Sequence, residues 1–329
     1  MVLEKNLNKL VSLPYQVGHE FRRKLYDCGL LHSHKLKGYV ISVGNISFGG
    51  TGKTPFVIEL AKYLATEFGR VCILTRGYKA TKKDFPIIID NQKAFTYQYI
   101  SHQDVGDEAY MMVEKLKNFQ KQILIGVDPN RTRAGRLVEK QYGPTIFILD
   151  DGLQHLALKR DVDIVLINQN EKGFYREFEQ NIKKADFVIR TNVGENFETE
   201  EGTFKMVSTV ELSQEPDPAK DFCIFTGIGD PETFYNQILT YLQEKNFLSP
   251  ETRVEKQFYP DHHLFTEAEV TRVTSLGINI ICSAKDAVKL PERVRKNHFL
   301  VAEKNIVIVP SGLYTMIGKG VADATTTSR

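Results

Sequence analysis

From Tyr39 onward, short apolar runs alternate with stretches of helical periodicity. The runs lie at 39–44, 71–75, 123–127, 145–149, 163–168 and 186–191. Runs of this length with helical segments between them predict a parallel sheet covered by helices on both faces. The best-marked helix is 55–68. Pro55 suits its first turn, Val57, Leu60, Ala61, Leu64 and Phe68 form its stripe, and Gly69 ends it. Upstream, residues 3–31 read as helix, broken or kinked near Pro14. Leu3, Leu7 and Leu10 share one face, as do Val17, Phe21 and Leu25. Two readings of that face stay open: a helix lying on a membrane interface, or one packed on its own domain.

The stretch 196–220 is polar and reads as a strand pair or a linker at a domain boundary. "FCIFTGIGDPETFYNQILTYL" then begins a new strand–turn–helix unit, and "INIICS" and "IVIV" add strands. The pattern divides the chain into a helical region at 1–38, a larger parallel α/β domain at 39–215 and a smaller α/β domain at 216–318. The tail at 319–329, "GVADATTTSR" after Lys319, is expected to be disordered.

At 329 residues and 42% hydrophobic, the chain can bury a sizeable core. The net charge of +2 gives no reason to expect a nucleic-acid partner. The first 40 residues, however, carry seven Lys or Arg against three Asp or Glu. That basic arm suits an anionic surface, or is a solvated helix face. Cys28, Cys72, Cys223 and Cys282 form no CxxC pair and read as free thiols of a reducing compartment. There is no signal-peptide order and no apolar run near the ~20 residues that a spanning helix needs. The expectation is an intracellular protein.

Candidate chemistry starts where strand 39–44 meets helix 55–68. The turn Gly49-Gly50-Thr51-Gly52-Lys53-Thr54 has the form of a phosphate-binding loop, with Ser47 in the first glycine slot of the usual pattern and Phe48 after it. Glycines let backbone N–H groups close on phosphate oxygens, and the helix adds its positive end. Lys53 would reach the β/γ-phosphates and Thr54 a magnesium ion. "TIFILDDGLQH" (145–155) ends a strand in Asp150 and Asp151, the form in which a carboxylate holds Mg²⁺. Either Asp suits the ion. Gln154 and His155 follow within a turn.

In "DVGDEAYMM", Asp107 and Glu108 open a helix bearing Ala109, Met112 and Val113. They are either dipole-favoured caps or reactive acids. Asp261, His262 and His263 lie in the Pro-led loop "FYPDHHLFT", with no further ligand spaced to complete a zinc site. Arg76 and Arg131 follow predicted strands, at the edge where open α/β sheets bind ligands.

Taken in order, "VGNISFGGTGKTP", "RGY", "GDEAYMM", "LDDGLQH", "YPDHHLFT" and "KDAVKL" closely resemble the tetraacyldisaccharide 4′-kinase family of lipid A biosynthesis, and "RRKLYDCGLL" resembles its N-terminal region. The resemblance covers about residues 10–290. It implies a two-domain kinase, a monomer peripheral to the cytoplasmic face of the bacterial inner membrane. Such an enzyme uses ATP and Mg²⁺ to phosphorylate the 4′-hydroxyl of a tetraacylated glucosamine disaccharide 1-phosphate. It also implies that Asp107 pairs with His262, that Glu108, Asp150, Asp151, Gln154 and His155 belong to the site, and that Arg131 meets substrate or phosphate. The basic N-terminal helix becomes the membrane contact.

Where the family has Thr-Glu before the Lys-Asp of its last block, this chain has Ser283-Ala284, which leaves the role of that segment open. Two rivals remain: a kinase or ligase of a soluble small molecule, and a dimerising membrane ATPase switch. The switch carries Lys before its Gly-Gly pair, where this chain has Phe48.

Overall fold

The computed structural model describes residues 2–47, 50–82, 84–96, 98–169, 174–193 and 203–327. The side chains of residues 2–7 lie outside that set, as do Phe48 and Gly49 of the loop and residues 328–329 of the tail. The chain forms two compact units, residues 1–207 with 306–329, and residues 208–305.

The first unit begins with α1 (Val2–Asp27), which runs through Pro14 as one helix. Then come β1 (Val40–Gly44), α2 (Lys53–Phe68), β2 (Val71–Thr75), β3 (Ile87–Asp90), α3 (His102–Val105), α4 (Asp107–Leu116), β4 (Ile123–Val127), α5 (Arg131–Tyr142), β5 (Ile146–Asp150), β6 (Val162–Asn168), β7 (Phe187–Thr191) and the start of β8 (Thr203–Leu212). The strand order is β8-β7-β6-β1-β5-β2-β4-β3. The pairings are parallel from β8 to β4, and only the edge strand β3 runs antiparallel, against β4.

The strands alternate sides as a pleated sheet must. Ile41, Ile73, Ile125 and Ile148 face a core built with α2 and α4. Val40, Leu74, Leu124 and Leu149 face one built with Leu36, Ala134 and Val138 of α5. Because β1, β2, β4 and β5 are parallel, the loops after them emerge on one edge. Among the described residues that edge carries 45–47, 50–52, 76–82, 128–130 and 151–155.

The second unit holds β9 (Phe222–Thr226), α6 (Pro231–Glu244), β10 (Val254–Phe258), α7 (Glu267–Thr274), β11 (Asn279–Ser283), α8 (Ala284–Ala287), α9 (Glu292–His298) and most of β12 (Phe299–Val309). Its order is β10-β9-β11-β12, all parallel. Phe234, Ile238 and Leu242 of α6 pack on one face of this sheet, and Val273, Ala287 and Leu290 on the other.

Three expectations need correction. The boundary falls at 207/208 rather than 215/216, and the chain returns to the first unit from residue 306. Among its described residues the polar stretch holds one strand, β8, in which Phe204 and Met206 are buried. The tail is ordered as α10 (Leu313–Thr327), whose Leu313, Ile317 and Val321 enter the core beside α2. Tyr314 stacks on Phe56 and Tyr63 with ring centroids 6.1 and 5.3 Å away. An apolar stripe of one residue per turn thus outweighs the polar composition around it.

Candidate functional site

Gly52 caps α2 with φ 78°, a left-handed conformation that costs glycine little. A Cβ there would sit 2.5 Å from the Met206 methyl carbon, so bulk is excluded as well as strain. Lys53 follows as the first helical residue. Its Nζ donates to Asn45 Oδ1 at 3.0 Å and lies 3.4 Å from Asp151 Oδ1. Asn45, fully buried at the end of β1, also donates from Nδ2 to the Ser47 carbonyl at 2.7 Å. The Thr51 hydroxyl is buried with no partner among the described residues. Thr54 lies in the first turn of α2, where helix N–H groups are free to meet an anion.

Asp150 and Asp151 are neighbours in sequence with opposite electrostatics. Asp150 ends β5 at 3% exposure, and its Oδ2 accepts from the Thr75 hydroxyl at 3.1 Å. Burial, then the Glu108 and Asp151 carboxylates, push its pKa up to about 7 against the opposing pull of Lys53. Asp151 turns out of the strand with φ 50°, a conformation that Asp tolerates better than most residues. Arg176 Nη1 donates to both its oxygens at 2.9 and 2.7 Å. Burial works to raise Asp151, but Lys53 and Arg176 outweigh it and hold the carboxyl at about 2.

Asp107 opens α4, and its Oδ1 lies 3.5 Å from His102 Nδ1, a neighbour that the sequence did not single out. Gly106 before it takes φ 88°, and a Cβ there would run into the Tyr78 carbonyl oxygen. The basic loop after β2 is thereby held against the start of α4. Glu108 is half-buried within electrostatic reach of Asp150. Arg131 opens α5 just past β4, is buried, and donates from Nη1 to the Pro129 carbonyl at 2.9 Å. Burial, then the like charge of Arg76, push it down to about 10, so it stays cationic at neutral pH. His155 is pushed down to about 3 by burial and by Arg131, Arg22, Arg160 and Arg76, and is a neutral imidazole.

Gln154 leads to a buried network that the sequence did not reveal. Its Nε2 donates to the Asn45 carbonyl and to Glu177 Oε1, both at 3.0 Å. Glu177 Oε2 accepts from Arg23 of α1 and, at 3.2 Å, from Asn181. Arg176 N donates to the Ile46 carbonyl, and Ser47 bridges Tyr175. The segment 175–177 therefore braces the loop from its backbone side, while α1 grips the segment through Arg23 and through Ser12, whose hydroxyl oxygen accepts from Tyr175 N at 3.3 Å. No motif marks "FYREFEQ"; only the chemistry of a buried Arg–Glu pair does, and that pair spans 154 residues.

His262 belongs to the second unit and Asp107 to the first. In its own unit, His262 lies 3.3 Å from Lys285 Nζ, while His263 pairs with Glu269 at 3.0 Å.

The family model for tetraacyldisaccharide-1-P 4′-kinase matches residues 5–319. The tetraacyldisaccharide 4′-kinase of Aquifex aeolicus is 32% identical, over 84% of this chain and 89% of its own. That of Halothermothrix orenii is 31% identical, over 88% and 81%. A crystal structure of LpxK from Aquifex aeolicus in complex with ATP has a TM-score of 0.72 and 29% identity, covering 96% of this chain and 99% of that one. With a phosphate-type loop, its lysine and the paired strand-end acids in the arrangement a phosphotransferase needs, this chain is a kinase and belongs to the tetraacyldisaccharide-1-P 4′-kinase family.

Proposed function

We propose that this chain transfers the γ-phosphoryl group of ATP to the 4′-hydroxyl of tetraacyldisaccharide 1-phosphate. The observation that carries the reading is Lys53, held at the start of α2 between Asn45 and Asp151 and beside the buried Asp150. The N–H groups of residues 50–54 and the positive end of α2 receive the phosphates. Lys53 neutralises charge on the group in transfer, and the unpartnered Thr51 hydroxyl is available to a phosphate oxygen. Ser47, Phe48 and Gly49 complete the loop in this reading.

The residues present fit a magnesium ion. A buried carboxylate with two acids nearby and a pKa of about 7 is only partly compensated by Lys53, and its neighbours are hard oxygen donors. Among the described residues no group of three or more His, Cys, Asp or Glu could hold a metal alone. That suits an ion that shares one or two carboxylates with substrate phosphates. Thr54 and Asp150 would hold it. Asp151 is already engaged by Lys53 and Arg176, so its part is to fix the lysine. An ion held there would supply positive charge against the phosphate oxygens of the group in transfer.

Asp107 takes the proton of the attacking hydroxyl, with His262 as its partner in orientation and charge. Glu108, Arg131, Gln154 and His155 shape the surrounding site, with Arg131 and the neutral His155 facing anionic substrate. The lipid meets the protein at a membrane surface through α1, whose inner and outer faces are inverted. Ser12, Gln16 and Arg23 are buried, while Leu10, Val11, Val17 and Phe21 are exposed. Among the described residues no helix is long and apolar enough to cross a membrane. In this reading the exposed apolar face of α1 rests on the cytoplasmic side of the inner membrane, with the chain peripheral and acting as a monomer.

The test is a kinase assay on purified tetraacyldisaccharide 1-phosphate with Mg²⁺ and ATP, comparing wild type with Lys53→Ala. Lipid phosphorylation abolished by the substitution is expected. A wild type that hydrolyses ATP or dimerises with it, yet leaves the lipid unmodified, sinks the reading.

A further inference from the structure

The loop that carries His262 is fixed from within its own unit. His262 takes φ 63°, and its backbone N–H donates to the Gly227 carbonyl at 3.0 Å. Gly227 is in turn held by Asp286, a fully buried carboxylate at which four donors converge. These are the Thr226 hydroxyl at 2.6 Å, the Gly227 N–H at 3.2 Å, the Ser283 hydroxyl at 2.7 Å and Lys289 Nζ at 3.0 Å. Ser283, the residue at which this chain departs from the family pattern, caps α8 and supplies one of those bonds. The same helix presents Lys285 in its first turn, with Nζ 3.3 Å from His262 Nε2. One carboxylate thus fixes both the acceptor of the His262 backbone and the helix that aims Lys285 at its ring.

We propose that Lys285 is a positioning residue that fixes the tautomer of His262, with Nε2 accepting and the proton on Nδ1. A lysine ammonium has three donors and no acceptor. Its contact with Nε2 is a hydrogen bond only if that nitrogen bears a lone pair; a proton there would set N–H against N–H. Asp261 Oδ2, an acceptor that could compete, lies 3.8 Å from Nε2, beyond hydrogen-bond reach, and so does not draw a proton onto it. Lys285 also lies 3.9 Å from Asp261 Oδ1, which keeps the ammonium beside the ring. The consequence for the reaction rests on the proposed function: a carboxylate that pairs with His262, Asp107 in that reading, meets Nδ1–H. Lys285 touches no reacting atom in this scheme. It decides which ring nitrogen can serve the base.

Two measurements on the full chain test this. In protein labelled with ¹⁵N-histidine, long-range ¹H–¹⁵N correlations report which ring nitrogen is protonated, with His262→Gln assigning the signal. The wild type should show protonated Nδ1 and bare Nε2, and Lys285→Met should move the proton to Nε2. A wild-type spectrum with the proton on Nε2, or one that Lys285→Met leaves unchanged, overturns the proposal. Kinetically, Lys285→Met should lower kcat about 10-fold or more, the scale on which outer partners of a working histidine act, with KM for ATP and lipid unchanged. Lys285→Arg, also a pure donor, should restore part of the loss, and Lys285→Met should cost nothing further in a His262→Ala background. Equal rates for wild type and His262→Ala would remove His262 from the proposed mechanism, while the spectra would still decide the tautomer.

Discussion

Asp150→Asn should make the unliganded protein more stable while disabling it. Burial, Glu108 and Asp151 raise the Asp150 carboxyl from 3.8 to about 7, with Lys53 and the Thr75 hydroxyl opposing. That is about three pKa units, and at ~1.4 kcal/mol per unit the buried charge costs the native state about 4 kcal/mol above pH 7. The folded pKa lies above the unfolded one, so the native state binds the extra proton between the two values. The stability from this group is therefore complete below about pH 4 and lost as pH rises through about 7. Asparagine keeps an oxygen for the Thr75 hydroxyl but must place an NH₂ group among acids, so a gain of about 2–4 kcal/mol is expected at pH 8. The assay is urea unfolding followed by circular dichroism at pH 8 and again at pH 4. The variant's midpoint should exceed wild type at pH 8 and match it at pH 4. Magnesium with an ATP analogue should stabilise the wild type more than the variant. A variant no more stable at pH 8, or one whose advantage persists at pH 4, refutes the charge argument.

Asp107→Ala and His262→Ala should each lower kcat about 10²–10⁴-fold, and the double variant should lose little more than either alone; fully additive losses would rule out a working pair. Arg23→Ala should destabilise the protein by about 3–5 kcal/mol, because it leaves the buried Glu177 carboxylate with Gln154 and Asn181 as its remaining side-chain donors. Glu177→Gln in that background should recover much of the loss in thermal unfolding; further destabilisation would contradict the burden of an unpaired charge. Leu10→Asp with Phe21→Asp, at positions 66% and 64% exposed, should leave unfolding within about 0.5 kcal/mol of wild type and abolish co-sedimentation with anionic lipid vesicles. Undiminished pelleting would move the membrane contact off α1.

The central strands were legible because each is buried on both faces and so reads as a continuous apolar run. β2 and β4 begin and end where their runs do. The helix of 55–68 starts two residues early, at Lys53, because Gly52 has no side chain to mark the boundary. Elements that depend on distant partners were harder to read. α10 has its stripe at 313, 317 and 321, but the polar run after Lys319 hid its last turns, and the burial of Val321 comes from a core shared with residues distant in sequence. β8 joins the sheet by pairing with β7, a contact that its mixed polar sequence does not announce. A chain that leaves a unit at residue 207 and re-enters it at 306 is invisible to any local window.

The site divides along the same line. Groups that must act within one turn of one another, such as Gly52, Lys53 and Thr54, leave a local pattern because their chemistry requires adjacency. Groups that set the electrostatic state of others need only proximity in space. Asp150 and Asp151 make the point, since nothing in "LDDG" separates them. Burial and then Glu108 raise Asp150 to about 7 against the pull of Lys53, while Lys53 and Arg176 together overcome burial at Asp151 and hold it at about 2. The first is then the carboxylate whose charge is undercompensated, and the second the one already paired with two cations. The proposed choice of Asp150 as magnesium ligand rests on Arg176, a residue 25 positions downstream of Asp151 that no motif includes. If Arg176→Ala were to free Asp151, the two acids should become competitors for the ion. Magnesium affinity measured with that variant would then respond to Asp151→Asn, which in wild type should act mainly through Lys53.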